Sequence, residues 1–164
     1  MSDSAKDETA NDEPVKVVGT RPQDEVDAET KQMSSQILDL IAVKGKTSQG
    51  GPGVMSCEGK DRDRFFIMNH PWSLTASTDE ELARAMARLK EELPRHGWKI
   101  VRYGPDTSPS KNLELVADND ERKFGLNIAF WKQDRGGDKN PPSLIVNVVS
   151  GCYQVPEGQT VEHY

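Results

Sequence analysis

The two cysteines constrain the fold of this 164-residue chain more than any other feature. Cys57 precedes the first strand-like segment, and Cys152 lies in an apolar run, residues 143–156, that is typical of a buried strand. Two cysteines fit one disulfide, and they also fit two buried thiols. We predict the disulfide, which would close a loop of about 95 residues and stabilise the fold by about 4–5 kcal/mol.

The predicted disulfide favours an exported protein, because disulfides persist in oxidising compartments. No apolar run approaches the roughly 20 residues that a helix needs to cross a bilayer. Polar residues follow Met1 at once, which is not the pattern of a signal peptide. We therefore expect the sequence to be a mature form whose signal has been removed.

The acidic charge of the chain is concentrated near its N-terminus. Residues 1–30 contain nine acidic and three basic side chains, so the whole net charge of −6 lies there and the body is neutral. A neutral body argues against nucleic-acid binding, which needs a concentrated basic surface. Residues 1–23 also contain few large apolar side chains, so we predict that they form a disordered acidic linker.

Two helices are predicted from apolar residues at helical spacing. The first covers residues 24–43, and Gly45 is its expected terminator. The second begins after Thr78, since Thr78 and Glu81 form a capping box, and it ends before Pro94. We expect the apolar stripe of the second helix to face the core.

Five strands complete the predicted architecture. One lies within residues 54–74, and the others cover residues 98–103, 112–117, 123–132 and 143–153. The short connections between the last four strands favour an antiparallel meander. The chain order α, β, α, β, β, β, β indicates an α+β fold, an antiparallel sheet of about five strands with two helices and one disulfide.

The predicted disulfide also suggests an order for the strands. A bond between Cys57 and Cys152 would bring the first strand next to the last, which gives the order 2-3-4-5-1 with the second helix crossing under the sheet. We predict one domain over residues 24–157, followed by a C-terminal tail over residues 158–164.

No catalytic, cofactor or metal site is predicted. His70, His96 and His163 are far apart and form no ligand-spaced pair. A nucleophile at Cys57 or Cys152 needs a nearby base and surroundings that favour a thiolate, and the sequence shows neither. We therefore expect a protein that is not an enzyme.

Four apolar residues are candidates for a partner or ligand surface on the sheet: Trp131, Val101, Val116 and Val149. Trp131 interrupts the alternation of its strand, because it should point opposite to Phe130. A sheet covered by helices on one face has a second face that is open. An apolar patch there would meet a partner or a ligand.

Three segments resemble small exported lipoproteins of streptomycetes and related actinobacteria. They lie at residues 61–74, 93–101 and 149–156 and include the runs His-Pro-Trp-Ser-Leu, Leu-Pro-Arg-His-Gly-Trp and Ser-Gly-Cys-Tyr-Gln. The resemblance implies a lipid-modified cysteine just before Ser2, where this chain has Met1, and a flexible acidic spacer. It supplies no catalytic residues.

The expected function is that of a non-enzymatic extracytoplasmic binding domain, tethered by its N-terminus to the outer face of the cell membrane or secreted. Its expected partner is a protein such as an envelope sensor or its regulator. The alternative is a small-molecule or cell-wall ligand carrier that holds its ligand between the sheet and the first helix. An internal apolar cavity would favour the carrier, and a packed core with a flat exposed patch would favour the protein partner.

Thiol counting tests the predicted disulfide. Protein exported to its native compartment and denatured without reductant should show no free thiol, whereas reduced protein should show two. Two free thiols before reduction would contradict both the disulfide and the inference about the compartment.

Overall fold

The computed structural model describes residues 15–133 and 141–164. It contains two α-helices and a short 3₁₀ turn, which are α1 (Gln23–Ile41), α2 (Asp79–Glu92) and Leu93–His96. The strands are β1 (Val17–Thr20), β2 (Lys46–Thr47), β3 (Gly53–Met55), β4 (Phe65–Thr75), β5 (Lys99–Pro105), β6 (Leu113–Asn119), β7 (Phe124–Trp131), β8 (Ser143–Ser150) and β9 (Cys152–Gln154). The described part of the chain is thus an α+β fold.

Both helices form where the sequence predicts them. In α2 the capping box is complete, because the backbone N–H of Glu81 donates to Oγ1 of Thr78 and the backbone N–H of Thr78 donates to the Glu81 carboxylate, each at 3.2 Å. Helix α1 ends at Ala42, which adopts a left-handed conformation with φ of 55°. Within residues 15–133 and 141–164, no helix is long and apolar enough to cross a membrane.

The centre of the sheet has the predicted strand order. Strands β5, β6, β7, β8 and β4 are neighbours in that sequence, and each adjacent pair is antiparallel. Strands β4 and β5 therefore run in the same direction at opposite edges of this group. Helix α2 makes the crossover between them, because strands of one sheet that run in the same direction need a long connection.

The sheet is larger than predicted, and it is mixed. Nine strands of the described residues belong to it, since β2 and β3 pair with β4, and β1 pairs in parallel with β9. The expectation of about five antiparallel strands therefore describes only its centre. Strand β9 continues β8 after a break at Gly151 and also pairs with the start of β4.

The folded unit extends beyond the predicted residues 24–157 at both ends. Val17–Thr20 form β1, inside the segment predicted to be a disordered linker, while residues 1–14 lie outside the described part. In the predicted tail, Val161 is buried and its backbone N–H donates to the carbonyl of Asp63 at 2.8 Å. Long-range pairing orders these two short segments.

Both helices pack on the same face of the sheet. Alternate residues of β4, β6, β7 and β8 are buried against them, and this core includes Ile37 of α1, Leu89 of α2 and Ile128 of β7. A smaller core surrounds Phe66 and Tyr153 where α1, β4 and β9 meet. The opposite face of the central strands carries the half-exposed residues of the same alternation.

The predicted disulfide joins Cys57 to Cys152, and their Cα atoms are 6.1 Å apart. Both residues are buried. The bond links the loop before β4 to the first residue of β9. Since Cys152 also pairs with Val17 in the β1–β9 ladder, the disulfide lies at the junction of three segments.

Gly151 is required by the close approach of β1. A Cβ atom added there would lie 2.8 Å from Cγ2 of Val18, a distance at which something must shift. We expect Gly151→Ala to lower the free energy of unfolding by about 1–3 kcal/mol, because it overpacks this contact. Urea denaturation with the disulfide intact measures the loss.

Gly104→Ala is the matched control, because a Cβ at Gly104 would have no neighbour within 4 Å. Adding Val18→Ala to the Gly151 variant should restore part of the lost stability. Equal effects at the two glycines, or no rescue by the smaller side chain, would contradict the role given to this contact.

Candidate functional site

The first candidate site is the side of the central sheet that neither described helix covers, called the open face below. Its residues alternate with the core residues of each strand. They are Asn69, Pro71, Ser73 and Thr75 of β4, Ser143, Ile145, Asn147 and Val149 of β8, Gly125, Asn127, Ala129 and Trp131 of β7, Glu114, Val116 and Asp118 of β6, and Arg102 of β5. The face mixes amides and hydroxyls with apolar side chains.

A polar strip crosses the middle of the open face. Nε of Arg102 lies 3.0 Å from Oε1 of Glu114, and the side-chain amide of Asn127 donates to Oε2 of the same carboxylate at 2.9 Å. Asn147 pairs with Asn127 on the neighbouring strand. The side-chain oxygens of Asn147 and Asn69 are buried and accept no hydrogen bond from the described residues. The strip therefore consists of one ion pair and a group of planar amides.

The four residues predicted to form an apolar patch do not lie together. Trp131 pairs with Ser143 at one end of β7, and it is 52% exposed. Val149 pairs with Gly125 at the other end, six positions away along β7, which is about 20 Å. The polar strip lies between them, so the sheet has separated apolar positions instead of one patch.

The two remaining candidates lie toward the β5 edge. Val116 pairs with Arg102 and lies half-exposed in the middle of the open face. Val101, which is 55% exposed, occupies an irregularity in the β5–β6 register between Ile100 and Arg102. A bulge and a terminal proline, here Pro105, both hinder the addition of another strand at a sheet edge. The face is therefore a better docking surface than this edge.

The second candidate site is a cleft of about 230 Å³ between helix α1 and strand β4, called the α1–β4 cleft below. It is lined by Lys31, Ser34, Ser35 and Leu38 of α1, Thr47, Ser48 and Gly50 of the following segment, and His70 and Trp72 of β4. None of these residues is among the surface residues predicted from the sequence.

A chain of hydrogen bonds forms the floor of the α1–β4 cleft. The indole N–H of Trp72 donates to Oγ of Ser34 at 3.1 Å, Ser34 lies 2.7 Å from Nδ1 of His70, and Nε2 of His70 lies 3.2 Å from the carbonyl of Gly50. An indole can only donate and a carbonyl can only accept. In neutral His70 the proton is therefore on Nε2, and the Ser34 hydroxyl donates to Nδ1.

The sequence contains a faint signal for this network. Ser34 falls on the buried stripe of α1 together with Met33 and Ile37, although its side chain is polar. His70 and Trp72 are two positions apart on β4 and so share one face of the strand. A polar residue within an apolar stripe must find partners when it is buried, and these two side chains supply them.

A charged cluster secures the entry of β1 into the domain. One amino group of Arg21 lies 2.6 Å from Glu29, and Arg122 lies 2.7 Å from the other oxygen of that carboxylate. Arg21 also packs over the ring of Tyr153, with its guanidinium carbon 5.3 Å from the ring centre. The cluster joins β1, α1, β9 and the turn before β7, and its contacts are structural.

These contacts change how Glu29 titrates. Burial acts to raise its pKa, but hydrogen bonds and charge from Arg21 and Arg122 outweigh burial, so the pKa of Glu29 lies below its usual value. Burial likewise acts to lower the pKa of Arg21, and its hydrogen bonds to Glu29 and Tyr153 raise it on balance. Both partners therefore stay charged at neutral pH.

Within residues 15–133 and 141–164, no three His, Cys, Asp or Glu side chains are grouped so that they could hold a metal ion. Comparison of the chain with family models, curated proteins and solved structures finds no match. The two candidate sites are therefore interpreted from their own geometry and chemistry.

The pH dependence of stability tests the charged cluster. A carboxylate with a lowered folded-state pKa adds stability above its unfolded pKa, and that stability is lost as the pH falls through the folded pKa. We expect Glu29→Gln to lower the free energy of unfolding by about 1–3 kcal/mol at pH 7. The difference from the parent protein should shrink as the pH falls below the usual carboxyl pKa of 4.5.

Glu25→Gln is the control, because Glu25 also pairs with Arg21 but its side chain is 56% exposed. Denaturant titrations at a series of pH values give both differences. Two results would contradict the stabilising role of the Glu29 carboxylate. One is a stability difference between Glu29→Gln and the parent protein that does not change with pH, and the other is an equal loss of stability in Glu25→Gln.

Proposed function

We propose that this chain is a non-enzymatic extracytoplasmic binding domain that engages a protein of the cell envelope, such as a sensor or its regulator, through the open face. The observation that carries the proposal is the uneven covering of the sheet. Two helices bury one side of the five central strands, and the other side carries Trp131, Arg102 and a strip of amides.

The disulfide supports the proposed location. Cys57 and Cys152 are bonded and buried, and such a bond persists in an oxidising compartment. In this proposal the chain before β1 is the tether to a lipid anchor at the outer face of the membrane. Strand β1 then carries the tether into the domain next to the disulfide, where Arg21 anchors it to Glu29 and Gly151 leaves room for it.

The chemistry of the open face suits a protein partner of modest affinity. Transient protein interfaces are about as apolar as the rest of a protein surface, and Trp and Arg frequently dominate their binding energy. Five strands about 4.8 Å apart and about 25 Å long give roughly 500 Å². A standard interface buries about 800 Å² on each partner. The partner must therefore also reach the rim near Val101, or bind transiently.

The alternative function, a carrier of a small molecule or cell-wall ligand, would use the α1–β4 cleft. That cleft lies between the first helix and the sheet, as the alternative requires, but its volume of about 230 Å³ is modest. Ligand pockets commonly measure about 300–1,000 Å³. The packed core and the open face favour the protein partner as the main function.

Photo-crosslinking in intact cells tests the proposal. A photoreactive amino acid replaces Ile145 or Ala129 on the open face, or Arg84 on the exposed side of α2. We expect the two open-face positions to form one and the same adduct with an envelope protein. Arg84 should not form it, because the helices cover the opposite side of the sheet.

Trp131→Ala and Arg102→Glu should lower the yield of that adduct by about tenfold, the effect of losing about 1.4 kcal/mol at an interface residue. Thermal unfolding checks that each variant is folded. A shared adduct from Arg84, or full yield from both variants, would contradict docking on the open face.

A further inference from the structure

We infer that the α1–β4 cleft binds a small ligand that carries a carboxylate beside a short apolar body. This inference is independent of the partner proposed for the open face, because the cleft lies on the helix-covered side of the sheet. It depends on which hydrogen-bonding groups in the cleft are already occupied.

The floor of the cleft has no free hydrogen-bond donor. Ser34 accepts from Trp72 and donates to His70, and both ring nitrogens of His70 are occupied, one by Ser34 and the other by the Gly50 carbonyl. Ser34 and Trp72 are also buried. Polar contacts to a ligand must therefore come from the rim.

The rim offers donors. Oγ of Ser48 accepts from the backbone N–H of Ser73 at 3.0 Å, so its own O–H is available to donate. The exposed Ser35 of α1 and Thr47 of β2, which precedes Ser48, also line the cleft. Hydroxyl and ammonium groups gathered at one opening favour a ligand that supplies acceptors.

The charge at the rim points to an anion. Among the described residues that line the cleft, Lys31 is the one lysine or arginine, and none is a carboxylate. Nζ of Lys31 lies 3.3 Å from Asp27, and the other oxygen of Asp27 accepts from the hydroxyl of Tyr164 at 2.6 Å. Because the Lys31 ammonium has three donors and a single described ionic partner, it can still bind a ligand carboxylate.

The apolar part of the cleft limits the rest of the ligand. Leu38 and the ring of Trp72 supply apolar lining, and the His70 ring lies beside Trp72 with centroids 6.4 Å apart. The cleft volume of about 230 Å³ lies below the roughly 300–1,000 Å³ of common ligand pockets, which limits the ligand to a small molecule. This space suits a ring or a short chain, with its carboxylate directed toward Lys31.

A titration followed by nuclear magnetic resonance tests the inference on the full chain. The probes are benzoate and hexanoate, and the neutral amides benzamide and hexanamide are their controls. We expect each carboxylate to shift the indole N–H signal of Trp72 and the amide signals of Ser48 and Gly50 in a saturable way. The amides should bind at least tenfold more weakly, because they lack the charge.

Lys31→Met should weaken carboxylate binding by at least fivefold, whereas Lys99→Met on the distant β5 edge should leave it unchanged. An unaltered Trp72 signal in the free variants shows that the floor is intact. The inference is overturned if no carboxylate saturates these signals by 50 mM, a limit that corresponds to about −2 kcal/mol of binding free energy. It is also overturned if benzamide binds as well as benzoate, or if Lys31→Met has no effect.

Discussion

The disulfide between Cys57 and Cys152 is the constraint on which the rest of the structure depends. It closes a separation of 95 residues and joins the loop before β4 to the first residue of β9. The same corner receives β1, whose approach requires Gly151 and is secured by Arg21. A chain with 34% hydrophobic residues gains a compact core partly because this bond limits the unfolded ensemble.

The two candidate sites follow from the way the helices cover the sheet. Since α1 and α2 both pack on one side, the other side of the central strands remains a broad surface of mixed polarity. Helix α1 reaches the edge of that covered side near β4, where Ser34 meets His70 and Trp72 and a cleft remains. The proposed protein-binding surface and the proposed ligand cleft therefore lie on opposite sides of the sheet.

The sequence predicts most of the central architecture because local patterns determine it. Helical spacing and the Thr78 capping box locate the helices, and the short hairpins together with the cysteine pair give the order of five strands.

Strand β1 was missed because a four-residue strand in an acidic segment depends on a partner more than 130 positions away. Gly45 was expected to end α1, but the helix ends at Ile41. Gly45 is instead packed so closely on β4 that an added Cβ would lie 2.3 Å from the carbonyl oxygen of Thr75. The Ser34 network was missed for the same reason as β1, since hydrogen bonds between distant residues leave no local pattern.

The parallel pairing of β1 with β9 has a mechanical consequence. Tension applied to β1 along its own axis would strain the hydrogen bonds of that ladder together instead of breaking them one after another. The load would then pass through Cys152 and the disulfide to the loop before β4. Strand β4 itself lies in the interior of the sheet, between β9 and β8. With the proposed tether and partner in place, this attachment would let the domain stay folded under a pull between them.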